Sequence, residues 1–182
     1  MTVDASPSAT DAMSHQFVGN GRIRRVGRIG FPVFELTQDS EVLARLGRTG
    51  WFKVYLWSGQ RIELSDGERW RLRSIGGGGS ISPLIVNEER RTVAIAGLRD
   101  GSYGISGRDF SCALYPAHKP RIGRANRWIL RHFEQELALI TRHPLSVEAA
   151  VPVHLGAVLL SFALVRFGLP EETTPGIPAF RW

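Results

Sequence analysis

The chain has 182 residues, which is enough for one domain with a sizeable core and short for two. A hydrophobic content of 43% is ordinary for a globular protein and excludes wholesale disorder. The charge is basic, with 23 Lys and Arg against 17 Asp and Glu, and all but Lys53 and Lys119 of these cations are arginines. Such an excess attracts phosphate on nucleic acid or anionic lipid, or it reflects an arginine bias of a GC-rich genome. The single Cys112 excludes an internal disulfide and fits a reducing compartment.

The two ends of the chain have the composition of tails. Residues 1–16 are rich in Ser, Thr, Ala and Asp and have neither a basic start nor the apolar segment of a signal peptide. We therefore predict a cytoplasmic protein with a disordered tail over 1–16, one domain over 17–170 and an extended tail over 171–182.

From Phe17 to about Val151 the dominant pattern is a series of short alternating runs broken by Gly, Asp or Pro. In Arg69–Arg73, for example, Trp70 and Leu72 point one way and the three arginines point the other. A period of two is typical of a strand with one solvated face. Many such strands, spaced about 8–12 residues apart, predict an antiparallel meander that closes as a barrel or sandwich.

Residues 125–142 do not follow this pattern clearly. They place Ile129, Phe133, Leu137 and Ile140 on one helical stripe, and periodicity favours a helix. The alternative is a hairpin of strands 128–133 and 137–142 that turns at Glu134-Gln135.

The segment that follows has a different hydrophobic pattern. Residues 145–149 suit a last strand, and residues 152–169 are apolar on every face. Pro152 suits the first turn of a helix, Gly168 and Pro170 would end it, and His154 is expected to be an exposed or capped residue of the first turn. A helix that is apolar all round is either the core of a domain or a membrane span, and both remain open here.

A strand meander followed by one wholly apolar helix resembles the phospholipid-scramblase and tubby C-terminal superfamily, which includes the LURP-one-related proteins and their bacterial relatives. The stretches that carry the resemblance are Val33–Leu46, Trp51–Leu64 and Leu145–Leu169. The resemblance implies a mostly β fold, in which an antiparallel barrel closes around one hydrophobic C-terminal helix and 125–142 is a hairpin. It also implies a binding or scaffolding role associated with lipid, without supplying site residues.

The densest basic patch is Arg22, Arg24, Arg25 and Arg28. It is a candidate site for anionic head groups or nucleic-acid backbone, or else the solvated side of a first strand. A second basic spread surrounds 125–142 and consists of Lys119, Arg121, Arg124, Arg127 and Arg131.

Other motifs favour structural roles. Residues 76–80 (GGGGS) lack the Lys-Ser/Thr step of a phosphate-binding loop, and we expect a flexible connection there. Cys112 shares the inward parity of Phe110 and Leu114, which indicates an inert core thiol. His118, His132 and His143 have no metal-ligand spacing, so we predict no metal, no cofactor and no catalytic residues.

The sequence therefore predicts a non-enzymatic binding or scaffolding module that associates with an anionic membrane surface. One alternative is a tail-anchored protein with residues 153–169 crossing the bilayer, and another is a small-ligand carrier or enzyme with a cavity in the barrel. Aromatic residues beside arginines, namely Trp70, Trp128 and Phe133, could stack on bases. No RNA- or DNA-binding signature is present, and nucleic acid is not the expected partner. No protein partner can be named.

Overall fold

The computed structural model describes residues 15–27, 33–48, 60–75, 82–99, 102–118 and 125–167. They form twelve strands and one helix. These are β1 (Gln16–Val26), β2 (Val33–Gln38), β3 (Glu41–Arg48), β4 (Gln60–Leu64), β5 (Arg69–Ile75), β6 (Ser82–Asn87), β7 (Thr92–Arg99), β8 (Ser102–Ser106), β9 (Ser111–Pro116), β10 (Arg127–His132), β11 (Gln135–Arg142), β12 (Leu145–His154) and α1 (Leu155–Phe167).

The strands form a closed antiparallel barrel. Each strand pairs with the next along the chain, and β12 returns to pair with β1, where Phe17 faces Val153. The predicted alternation is confirmed on β5, where Trp70 and Leu72 are buried and the intervening arginines are exposed. Closure leaves none of these twelve strands with an unpaired edge, so the wall is held together by its own backbone hydrogen bonds.

The apolar helix α1 occupies the interior of this barrel. Every residue from Leu155 to Val165 is buried, and Leu159 and Leu160 are completely inaccessible to solvent. The helix contacts β1, β6, β7, β8, β11 and β12, which lie on several sides of it. A helix that is apolar on all faces needs partners on all faces, and the closed sheet supplies them. The predicted barrel around one hydrophobic helix is therefore confirmed.

The predicted start of the helix is wrong. Strand β12 continues through His154, so Pro152 lies in a strand and α1 begins at Leu155. The reason is a bulge against β1, where the pairing passes from Phe17–Val153 directly to Gly19–Ala149. Pro152 falls in this bulge, where the ladder does not require its missing N–H.

The helix favoured by periodicity over 125–142 is also wrong. The segment is a hairpin of β10 and β11 that turns at Phe133-Glu134, one residue earlier than the predicted hairpin turn. Pairing of β10 with β9 and of β11 with β12 stabilises this hairpin, and it turns Trp128 and Leu130 into the core. Phe133, a member of the helical stripe, is instead 88% exposed.

The barrel has two different ends. The turns at 39–40, 65–68, 88–91, 107–110 and 133–134 lie at one end, together with the start of α1; we refer to it as the turn end. The opposite end, where α1 finishes, is the loop end. Of the predicted tails, 1–14 and 171–182 lie outside the described residues, whereas Gln16 already belongs to β1. The segment 76–80 also lies outside them. Within the described ranges, no helix has the length and apolarity needed to cross a membrane.

Candidate functional site

Part of the basic patch predicted on the first strand is already neutralised. Arg22, Arg24 and Arg25 lie exposed on β1, and Arg28 lies outside the described residues. Nε and Nη2 of Arg24 donate to Oε2 of Glu35 at 3.1 and 3.0 Å, while Nε of Arg45 donates to Oε1 at 3.0 Å. Arg24 therefore serves an ion pair within the wall, and Arg22 and Arg25 remain as candidates for an external anion.

Glu35 is the acid at the centre of this arrangement, and only 7% of its surface is exposed. Burial alone would raise the pKa of its carboxyl. The hydrogen bonds and positive charges of Arg24 and Arg45 outweigh burial and hold the pKa of Glu35 below its ordinary value. The carboxylate is thus ionised and shared between two arginines.

The same pairing continues around the outer wall as a row of alternating charge. Cross-strand partners run from Arg24 to Glu35, Arg45, Glu63 and Arg69, across β1 to β5. Opposite charges placed directly across a sheet stabilise it by roughly 0.2–1 kcal/mol per pair. The charges in this row are explained by their cross-strand pairing, and no ligand is needed to account for them.

The next outward row toward the loop end lacks this balance. Its cross-strand partners are Gly47, Arg61 and Arg71, so two exposed arginines lie directly opposite each other. Arg73 lies two residues farther along the same face of β5. No carboxylate of the described residues forms an ion pair with any of these three arginines. We refer to Arg61, Arg71 and Arg73 as the arginine face.

Apolar residues border the arginine face. Val86 lies across from Arg71 and Leu84 across from Arg73, and both are at least 94% buried although their partners point outward. Ile75, the next outward residue of β5, is 51% exposed. Like charges placed directly opposite each other destabilise a sheet, and an anion bound between them would remove the repulsion. Because Leu84 and Val86 are covered, the apolar side chain that can contact a partner beside the arginines is Ile75.

The aromatic residues predicted to stack on bases do not adjoin this face. Trp70 and Trp128 point into the core and are 1% and 8% exposed. Phe133 is exposed, but it lies on the turn between β10 and β11, six strands away around a ring of twelve. Base stacking on the arginine face therefore has no aromatic platform among the described residues.

At the turn end, two hydrogen bonds are made by the first backbone N–H groups of α1. The Leu155 N–H donates to the carbonyl of His15 at 2.7 Å, and the Gly156 N–H donates to Nδ1 of His154 at 3.0 Å. Both satisfy N–H groups that a helix start leaves without partners. The prediction of His154 as an exposed or capped residue of the first helical turn is wrong, because His154 is the last residue of β12, its ring is half-buried, and it is itself the acceptor for the Gly156 N–H.

The surroundings of His154 disfavour its charged form. Its ring stacks on Phe110 with centroids 4.6 Å apart and lies parallel to Trp70 at 6.4 Å. Burial, assisted by the positive charge of His15, lowers the pKa of His154 to about 4, although Asp109 acts in the opposite direction. His154 is neutral at physiological pH, as a hydrogen-bond-accepting cap requires.

Next to this cap lies a cluster that the sequence did not predict. Nε2 of His15 lies 3.1 Å from Oδ2 of Asp66 and 3.0 Å from Oε2 of Glu68. The other oxygen of Glu68 accepts a hydrogen bond from Nε1 of Trp70 at 2.7 Å. His15 and Asp66 are 51 positions apart in the sequence. Closure of the barrel brings them together.

Other candidate residues have structural roles. Burial raises the pKa of the Cys112 thiol to about 12, so it is not an activated nucleophile. A groove of about 390 Å³ crosses β1, β12 and β11, and its charged lining residues are Glu136 and Glu148. Glu136 pairs with Arg131. The interior of the barrel, where a ligand carrier would need its cavity, is occupied by α1.

Comparison of the chain with family models, with curated proteins and with solved structures found no match.

Proposed function

We propose that this chain is a cytoplasmic, non-enzymatic binding or scaffolding module of the tubby and scramblase type, which attaches through its arginine face to an anionic membrane surface. The observation that carries the proposal is the facing pair Arg61 and Arg71 beside Arg73, with no acid to neutralise them among the described residues. A wall that balances its charges in one row and leaves arginines opposed in the next is suited to an external anion.

The expected strength of this attachment is modest. A basic side chain near an anionic leaflet contributes about 1 kcal/mol. Three arginines therefore contribute about 3 kcal/mol, which corresponds to roughly a hundredfold in affinity. Because the interaction acts between exposed charges, added salt weakens it. The module would bind membranes reversibly and would depend on lipid composition.

The border of the face favours lipid over nucleic acid. Exposed Ile75 follows the arginines on the outer side of β5, where it can contact the apolar part of the membrane interface. Single-stranded nucleic acid is usually held by aromatic stacking as well as charge, and Trp70 lies on the inner side of the same strand. Arg22 and Arg25 on β1 are a separate source of attraction, which the double variant R22Q/R25Q would measure.

Vesicle flotation tests the proposal with the full chain. The vesicles contain phosphatidylcholine alone or phosphatidylcholine with phosphatidylserine, and the test variant is R61Q/R71Q/R73Q. A matched control removes the same amount of charge from exposed arginines elsewhere on the barrel, namely Arg90, Arg108 and Arg127. We expect binding to the anionic vesicles only, weakened about a hundredfold in the test variant and less than about threefold in the control.

Two results would overturn the proposal. Equal losses in the test and control variants would mean that net charge, rather than the arginine face, determines binding. Binding of duplex DNA that falls steeply with salt, in a protein that does not float with anionic vesicles, would assign the face to nucleic acid.

A further inference from the structure

The cluster at the turn end brings two carboxylates and one imidazole to a common point. The ligand-type atoms of His15, Asp66 and Glu68 all lie within 4.8 Å of one another, and the imidazole nitrogen is 3.0–3.1 Å from each acid. An imidazole nitrogen carries at most one proton, so a single N–H is shared between two carboxylate oxygens. A cation bound at this point would satisfy all three groups at once.

The separations suit a small divalent ion. Zinc binds imidazole nitrogen and carboxylate oxygen at about 2.0–2.2 Å in tetrahedral geometry, so that neighbouring ligand atoms lie about 3.4 Å apart, a few tenths of an ångström more than the 3.0 and 3.1 Å between Nε2 of His15 and the two acids. Imidazole favours zinc and its neighbours in the transition series, whereas calcium requires six to eight oxygen ligands, more than this cluster provides. The donor set therefore selects a transition-metal ion over calcium.

The surroundings hold the donors in place and leave the site open to solvent. The indole N–H of Trp70 fixes one oxygen of Glu68, and the ring of His15 packs edge-on against Trp70 with centroids 5.0 Å apart. Such outer hydrogen bonds orient metal ligands. The side chains of Asp66 and Glu68 are 47% and 37% exposed, so water can complete the coordination.

We propose that His15, Asp66 and Glu68 form a binding site for a divalent transition-metal ion, with zinc as the probe. The ion would join the residue that precedes β1 to the turn between β4 and β5. The carbonyl of His15 also accepts the first N–H of α1, so the ion would fasten the closure over the start of the helix. The site shares no residue with the arginine face, and either proposal can fail alone.

Isothermal titration of the EDTA-treated full chain with zinc chloride at neutral pH tests the site. The variants are H15Q, D66N and E68Q, in which the last keeps an amide oxygen for Trp70. Matched controls make the same chemical changes at exposed residues outside the cluster, namely H118Q and E88Q. We expect one ion per chain, binding more than about tenfold weaker in each cluster variant and unchanged in the controls.

Cobalt substitution adds a spectroscopic measurement that does not depend on stability. Cobalt bound to the wild type should show visible absorption bands that change or disappear in D66N. Because this substitution is isosteric and lies on an exposed turn, we expect the barrel to stay folded, which circular dichroism of D66N checks. The absence of saturable zinc binding to the wild type would overturn the proposal. A loss in H118Q as large as that in H15Q would do the same, because it would indicate nonspecific binding to surface histidines.

Discussion

Replacing Leu160 by alanine tests whether α1 is enclosed by the barrel. The Leu160 side chain is completely buried, and the strands around it form a closed, hydrogen-bonded wall. The substitution removes three carbons, whose transfer from water to the core is worth about 2 kcal/mol. A wall of paired strands cannot easily collapse into the space, so a cavity penalty adds to this value. We expect L160A to lower the free energy of unfolding by about 3–5 kcal/mol.

The measurement is equilibrium denaturation by urea, followed by circular dichroism and tryptophan fluorescence. The control is L98A, because Leu98 is 50% exposed on β7, and this change should cost less than about 1.5 kcal/mol. A volume-conserving change, L160M, should also cost less than about 1.5 kcal/mol. If L160A were no more destabilising than L98A, the helix could not be enclosed by the strands, and the proposed packing would be refuted.

The remaining predictions concern His154 and Cys112. Because the folded-state pKa of His154 is about 4 rather than 6.5, unfolded chains take up its proton first, and stability should fall as pH drops from 6.5 to 4. After allowance for partial solvent contact, the loss in the free energy of unfolding should be about 2 kcal/mol. Urea denaturation at stepped pH measures this loss, and H154N, which keeps a hydrogen-bond acceptor at the cap, should not show it. If the stability of the wild type and of H154N fell in parallel with pH, this explanation would be contradicted. With its pKa raised to about 12, Cys112 should react with an aromatic disulfide reagent at least a thousandfold faster in denatured than in native protein, and similar rates would contradict its burial.

The sequence was informative wherever one residue's environment follows from its nearest neighbours. Alternation in Arg69–Arg73 predicted which side chains of β5 face the core, and an unbroken apolar segment predicted a helix that avoids water on every face, either in a core or in a membrane. Both patterns are local, and both depend on the strong preference of large apolar groups to leave water.

The predictions failed where distant pairing outweighs local preference. Residues 125–142 contain good helix formers at helical spacing, yet β9 and β12 pair with this segment on either side and extend it. Pro152 looked like the start of a helix because the bulge that accommodates it depends on the register between β1 and β12. Neither register can be derived from the short stretch concerned.

For the candidate sites, the sequence by itself determined how many arginines the chain contains and which face of each strand they occupy. Only the tertiary structure decided that Arg24 is paired through Glu35 whereas Arg61 and Arg71 are opposed, because a shift of one residue in register exchanges every partner across a sheet. It also decided that His15 meets Asp66 and Glu68 across the turn end. The hydrophobic pattern selects the barrel, but charged neighbours are determined by strand register and closure, which are properties of the assembled sheet.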